Sequence, residues 1–254
     1  MYSTEDSLLV RRIALPTSTT DKDSSVVAAV LSDSSPEHVL VAAADGNIWF
    51  INWTSGEGSE VPLMNCGHEI FDVAVESVEL GGSTREVLLV LQKQESSKAQ
   101  IVAYDDIALA SAEGTLLHTI DGSPQQLRAA ASARVVVVAA GTTLHIGLLK
   151  NKNKNVAAIS DFQYRFYSFN LPDLVASLDI QTVTRPTKKG GIELQQVDIA
   201  IGGARGAIYI YADISNKLPF ESSQPKAGFI HARKFHWHRR AVHAVKWSSD
   251  GNGP

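Results

Sequence analysis

No Asp or Glu occurs from Ser222 to Ser249, and within that stretch Lys226, Arg233, Lys234, Arg239, Arg240 and Lys246 alternate with His231, His236, His238 and His243. Cations interleaved with Phe235 and Trp237 have the chemistry of a phosphate-binding loop. Arg239 and Arg240 can neutralise and hydrogen-bond phosphate oxygens, and an aromatic ring can pack against the chain or stack on a base. The plainer use of the same residues stays open: Phe235, Val242, Val245 and Trp247 also suit a buried face, and the cations a solvated or protein-binding surface. Lys150, Lys152 and Lys154 in KNKNK form a second basic loop, and Arg185, Lys188 and Lys189 in the insertion from Thr184 to Gly191 a third. Loops of this composition are commonly just solvated, yet both can meet an RNA backbone without reading its bases. The early acids Glu57, Glu60, Glu69, Asp72, Glu76 and Glu79 repel RNA and either face basic protein or are solvated.

Other chemistries find less support. His236 and His238 alternate along an extended segment and Cys66 is the single cysteine, so the compact Cys/His spacings of structural zinc are missing and no metal or cofactor is expected. Gly202-Gly203-Ala204-Arg205-Gly206 lacks the following Gly-Lys-Ser/Thr of a phosphate-binding loop and reads as a hairpin turn needing positive φ. There is no Gly-x-Ser-x-Gly elbow and no His-Glu-x-x-His, and Cys66 beside His68 is a weak nucleophile–base pair at the start of a repeat unit. The chain is therefore read as a non-enzyme with no small-molecule substrate.

The elements that must carry these residues are strands. Apolar stretches are short, rich in Val, Ile and Ala, and bounded by Gly, Ser, Asp, Asn or Pro. Val26 to Leu31, His38 to Ala43 and Asn47 to Trp53 form a meander, with Asp45-Gly46 as its tight turn. Phe71 to Val78, Glu86 to Gln92 and Ala99 to Tyr104 repeat it; so do Gln126 to Ala131, Arg134 to Ala140 and Thr143 to Leu149, and then Leu174 to Val183, Gln196 to Gly202 and Ala207 to Tyr211. Leu8 to Leu15, Thr115 to Ile120, Tyr164 to Phe169 and Ala232 to His236, each before one of these sets, are candidate fourth strands, and Ala241 to Trp247 opens a fifth unit. First strands beginning at 26, 71, 126, 174 and 241 are spaced by 45, 55, 48 and 67 residues, the pattern of β-propeller blades with loop insertions. The expected fold is all-β: an incomplete WD40-type propeller of about four blades and part of a fifth, since an unclosed ring leaves bare strand edges.

The chain's 254 residues, 44% hydrophobic and 20% charged, suffice for a core without staples. No apolar run approaches the roughly 20 residues of a membrane helix, and MYSTEDSLLVRR carries acids where a signal peptide carries bases, so a soluble, unsecreted protein without membrane partners is expected. The single cysteine fits a reducing compartment. The net charge of −4 conceals polarity: residues 1–120 hold 6 Lys and Arg against 18 Asp and Glu, a balance of −12, and residues 121–254 hold 17 against 9, a balance of +8.

Cys66-Gly67-His68 before Phe71, Trp237-His238 before Ala241 and the Asp45-Gly46 turn resemble the WD-repeat pattern, although the terminal Trp-Asp dipeptide is degenerate, as Tyr104-Asp105 and Tyr211-Ala212. The resemblance implies that His68 and His238 join a buried network with turn aspartates such as Asp45 and fix blade geometry. AIGGARGAIYIYADI (200–214) and RKFHWHRRAVHAVKWSSDGN (233–252) are similar to the first propeller of the fungal Net-associated nuclear protein family, tandem-propeller WD-repeat subunits of the small-subunit processome. This implies that residues 1–254 are the N-terminal propeller, cut within its last blade, with a second propeller outside this chain. It implies a nucleolar scaffold of the early-binding subcomplex on the 5′ external transcribed spacer, supporting ribosomal-RNA transcription and small-subunit RNA processing. Its partners are then other WD-repeat processome subunits and pre-ribosomal RNA. The alternative is a WD-repeat adaptor, for instance of a ubiquitin ligase, whose propeller mouth captures a short peptide.

Overall fold

The computed structural model describes residues 25–32, 35–58, 61–80, 82–95, 97–105, 114–122, 124, 126–130, 135–149, 158–161, 163–185, 194–218, 231–236 and 238–247. They form four antiparallel four-stranded sheets, each a meander in chain order. The first holds β1 (Val26–Leu31), β2 (His38–Ala43), β3 (Asn47–Asn52) and β4 (Met64–Asn65); the second β5 (Ile70–Leu80), β6 (Ser83–Glu95), β7 (Lys98–Asp105) and β8 (Thr115–Asp121). The third holds β9 (Gln126–Ala130), β10 (Val135–Ala140), β11 (Thr143–Leu149) and β12 (Tyr164–Asn170); the fourth β13 (Val175–Arg185), β14 (Leu194–Gly203), β15 (Ala207–Tyr211) and β16 (Arg233–His236). A short helix, α1 (Ile214–Lys217), follows β15.

The apolar runs explain the stacking. In β10 every residue from Val135 to Ala139 is 0% exposed, because the period of two sends alternate side chains to opposite faces and both faces are covered. Val135, Val137 and Ala139 pack with Val197, Ile199 and Ile201 of the fourth sheet. Val136 and Val138 pack with Val87, Leu89 and Leu91 of the second. Leu88 and Val90, on the other face of β6, pack with Leu40, Ala42 and Ile48 of the first. Each buried valine, leucine or isoleucine among them stabilises the stack by roughly 1.5–3 kcal/mol. Sheets stacked face to face, with first strands β1, β5, β9 and β13 side by side, are the blades of a β-propeller.

The sheets are joined by a recurring contact. The N–H entering a first strand donates to the carbonyl at the preceding blade's central turn: Ile70 to Ala44 (3.2 Å), Val175 to Gly141 (3.0 Å) and Val242 to Gly203 (3.1 Å). Residues 241–247 thus occupy the seat of a next first strand. The expected strand there does not form, however, since no ladder partner lies along it among the described residues. Side chains of β13 hold the segment instead: Ser177 Oγ donates to the Val242 carbonyl (2.6 Å) and Asp179 Oδ2 accepts from the Trp247 N–H (2.9 Å).

Other expectations are adjusted. The outer strands β8, β12 and β16 close the sheet preceding them in the chain, and the first sheet takes two-residue β4, which has no apolar signature. Leu8 to Leu15 lies outside the described residues. The β5–β6 and β13–β14 ribbons run further than their apolar cores, to Leu80↔Ser83 and Arg185↔Leu194, carried by backbone pairing.

Candidate nucleic-acid interface

Strand β16 places the basic segment on the outer edge of the fourth sheet. Its antiparallel register sets His236 opposite Ala207, Phe235 opposite Ile208, Lys234 opposite Tyr209 and Arg233 opposite Ile210. Arg233, Lys234 and His236 are exposed while Phe235 is half-buried, and Lys234 Nζ lies 5.8 Å from the Tyr209 ring centroid, within cation–π reach. Beyond β16 the chain crosses the β14–β15 turn. Gly206 there has φ +86°; a Cβ would run into the His238 carbonyl and stand 2.9 Å from the Arg240 carbonyl. Gly46 repeats the arrangement in the first sheet, with φ +95° and the His68 carbonyl 2.7 Å from a Cβ. Only glycine accommodates both the left-handed backbone and the crossing chain.

Arg205, within that turn, joins the cluster. Its side chain is 76% exposed, whereas its partner Asp173 is only 5% exposed. Asp173 Oδ1 accepts from Arg205 Nε (3.2 Å) and Asp173 Oδ2 from the Arg205 N–H (3.0 Å), while Arg205 NH2 donates to the Pro172 carbonyl. Burial alone would raise the Asp173 pKa, but the Arg205 backbone and side-chain hydrogen bonds, the Leu174 N–H and the guanidinium charge outweigh it and hold the carboxyl below its usual range. His236 Nε2 lies 3.2 Å from the Arg205 carbonyl. The structure therefore gathers Arg205, His236, His238, Arg239 and Arg240 at one end of the fourth sheet, all exposed.

The remaining sequence candidates fall elsewhere. Arg185 ends β13 ten residues beyond Val175, so the two ends of that strand are roughly 30 Å apart at ~3.3 Å per residue and Arg185 belongs to the opposite rim. Lys150, Lys152, Lys154, Lys188, Lys189 and Trp237 lie outside the described residues. His68 and His238 are exposed, which corrects the expected buried histidine network: their backbone carbonyls, not their imidazoles, lock onto the turn glycines. Asp45 is half-buried and orders its own turn, accepting from the Asn47 N–H (3.1 Å) and Asn47 Nδ2 (2.9 Å).

Sequence reasoning missed Arg205 and Asp173 as site residues. Arg205 was read as a turn residue, and its carboxylate partner lies 32 positions away. It also missed the buried carboxylates that tie neighbouring first strands. Asp72 Oδ2 accepts from the Leu127 N–H (2.8 Å) and Arg128 (3.0 Å), and Asp179 Oδ1 from Lys246 Nζ (3.1 Å). Strands β1, β5 and β9 with Lys246 line a cavity of about 550 Å³, bounded mainly by Val27, Ala28, Val73, Ala74 and Leu127. Burial raises the Cys66 thiol pKa, with a hydrogen bond from Tyr104 opposing, so the thiol is not activated. Among the described residues no group of three or more His, Cys, Asp or Glu could hold a metal, and no helix is long and apolar enough to cross a membrane.

No protein-family model matches this chain, and no curated protein matches it in sequence. Among solved structures it is similar to the β-propeller domain of Cps50 (Swd1) from Myceliophteria thermophila, at 12% identity and a TM-score of 0.49, over 92% of this chain and 63% of that one. It is also similar to the computationally designed Ika8 protein, at 15% identity and a TM-score of 0.45, over 90% of this chain and 67% of that one. The chain thus spans under two thirds of the length of the Cps50 domain it matches. The propeller assignment stands on the four stacked sheets themselves.

Proposed function

We propose that this protein is a non-enzymatic WD-repeat scaffold of the small-subunit processome, acting in the nucleolus on the 5′ external transcribed spacer. In this reading it binds neighbouring propeller subunits and pre-ribosomal RNA, supporting ribosomal-RNA transcription and processing. One observation carries it: residues 233–236 and 238–247, which fall in the family-like HWH–AV–WS run, lie along and across the fourth blade and bring the backbone of Arg240 to the turn that holds Arg205, with Arg205, Arg239 and Arg240 all exposed. A cationic end on a stacked-sheet body suits a subunit that spans protein and RNA neighbours. The peptide-adaptor alternative draws on the cavity along β1, β5 and β9, which is lined mainly by small apolar side chains, with Arg128 paired to Asp72 and Lys246 to Asp179.

Affinity purification of the protein from cells tests the reading. Co-purification of processome subunits with 5′ spacer RNA under mild salt supports it. A ligase core in their place favours the adaptor, and partners outside the nucleolus overturn the scaffold.

A further inference from the structure

The cationic end contains one residue held differently from the rest. A long arginine exposed to water ordinarily samples many rotamers, and fixing it on binding costs affinity. Arg205 is already fixed at its base, since the buried Asp173 takes both its backbone N–H and its Nε, and Pro172 takes NH2. The side chain is nevertheless 76% exposed. The crossing segment brings the backbone of His238 and Arg240 against the next residue, Gly206, so that the exposed Arg239 and Arg240 leave the chain at the same turn as Arg205.

We propose that Asp173 and Arg205 build a preorganised anchor for the phosphodiester backbone of single-stranded RNA, which Arg205 engages together with Arg239 and Arg240. The proposal rests on the RNA contact in the functional reading above and names the residues that make it. With Nε held by Asp173 and one Nη2 hydrogen by Pro172, the Arg205 guanidinium still turns its Nη1 donors and the remaining Nη2 donor outward, an end-on fork that matches phosphate oxygens. The side chains on this turn and its crossing segment, Arg205, Arg239 and Arg240, are exposed cations, the chemistry a phosphate backbone meets, whereas a strand-like peptide is read through pockets for alternate side chains. Strand β16 continues from this end along the sheet edge, with the exposed Lys234 and His236 on one face and Arg233 on the other, so cationic side chains border the edge over its length. Contacts of this kind hold the backbone and leave base sequence unread.

The test is binding of fluorescent oligouridylate to the purified chain across a salt series. Engagement of three phosphates gives a slope of log K against log salt near −2, about −0.7 per contact on a single strand. The triple variant R205A/R239A/R240A flattens that slope and lowers affinity more than ~10-fold. R205K keeps the charge and the exposed position but loses the fork, and is expected to weaken binding about threefold or more. D173N makes the surface more positive, so a plain field effect tightens binding, whereas loss of the anchor weakens it. A thermal melt checks that D173N folds; if it does not, R205K decides. Wild-type affinity in R205K, tighter binding in folded D173N, or equal competition by polyglutamate of matched charge overturns the anchor, the last pointing to an acidic protein partner. Loss of these effects in vitro with processome subunits still co-purifying from cells refutes the anchor alone and leaves the scaffold reading standing.

Discussion

Gly206 and Gly46 show how single residues set the blade ends. Each has positive φ and a carbonyl pressed where a Cβ would be, so Gly206→Ala is expected to cost roughly 1–3 kcal/mol in chemical denaturation. Gly141→Ala, also at positive φ (+59°) but with nothing within 4 Å, costs less. His68→Ala is expected to change stability by less than about 0.5 kcal/mol in the same assay, because the imidazole is exposed and the blade uses its carbonyl, which alanine retains. His118 behaves differently. It stacks on Phe166, ring centroids 3.9 Å apart, and burial, with a smaller push from His145, lowers its pKa from 6.5 to about 4. The unfolded chain takes up this proton near pH 6.5 and the folded one only near 4, so its contribution is whole above 6.5 and falls as pH drops toward 4. Melting temperatures recorded from pH 7 to 4 should decline less steeply in His118→Phe, which keeps the stack; an unchanged profile contradicts the assignment.

At the scale of elements, the joints between first strands matter most. Asp72 is buried and receives the Leu127 N–H and the Arg128 guanidinium across the second and third sheets. Asp72→Ala takes the carboxylate acceptor from the Leu127 N–H, while Arg128 keeps the Leu127 carbonyl, and is expected to cost roughly 1–3 kcal/mol by urea denaturation. Asp72→Asn costs less, since burial raises the carboxyl pKa despite the Leu127 N–H and Arg128 and so already disfavours its charge. The strands themselves were legible in the sequence because both sheet faces are covered: runs such as VVVVAA in β10 are continuous and apolar, and their Gly-bounded ends mark the turns. The joints were not legible. Asp72 and Leu127, 55 positions apart, and Asp173 and Arg205, 32 apart, meet only because the meander folds back, and no spacing rule encodes that. β4 and the ribbon tips escaped for a related reason: β4 is only Met64–Asn65, too short to show a period, and the tips are held by backbone pairing, which any residue but proline supplies. The basic segment was visible from composition, whereas Arg205 becomes part of it only through the turn.

For the whole molecule, the sequence runs from acidic to basic, −12 over residues 1–120 and +8 over residues 121–254, in the same order as the chain lays down its blades. Association with an anionic polymer should then orient the molecule by its fourth blade and weaken steeply with salt. The central claim is that this blade end meets pre-ribosomal RNA inside a processome particle. In-cell ultraviolet crosslinking of the full-length protein, with the crosslinked peptides and the crosslinked RNA read from one sample, tests it most directly. The account predicts 5′ external transcribed spacer RNA attached within residues 205–247, beside protein crosslinks to other propeller subunits. Crosslinks to proteins alone, or RNA attached only to the acidic first blades, would contradict it.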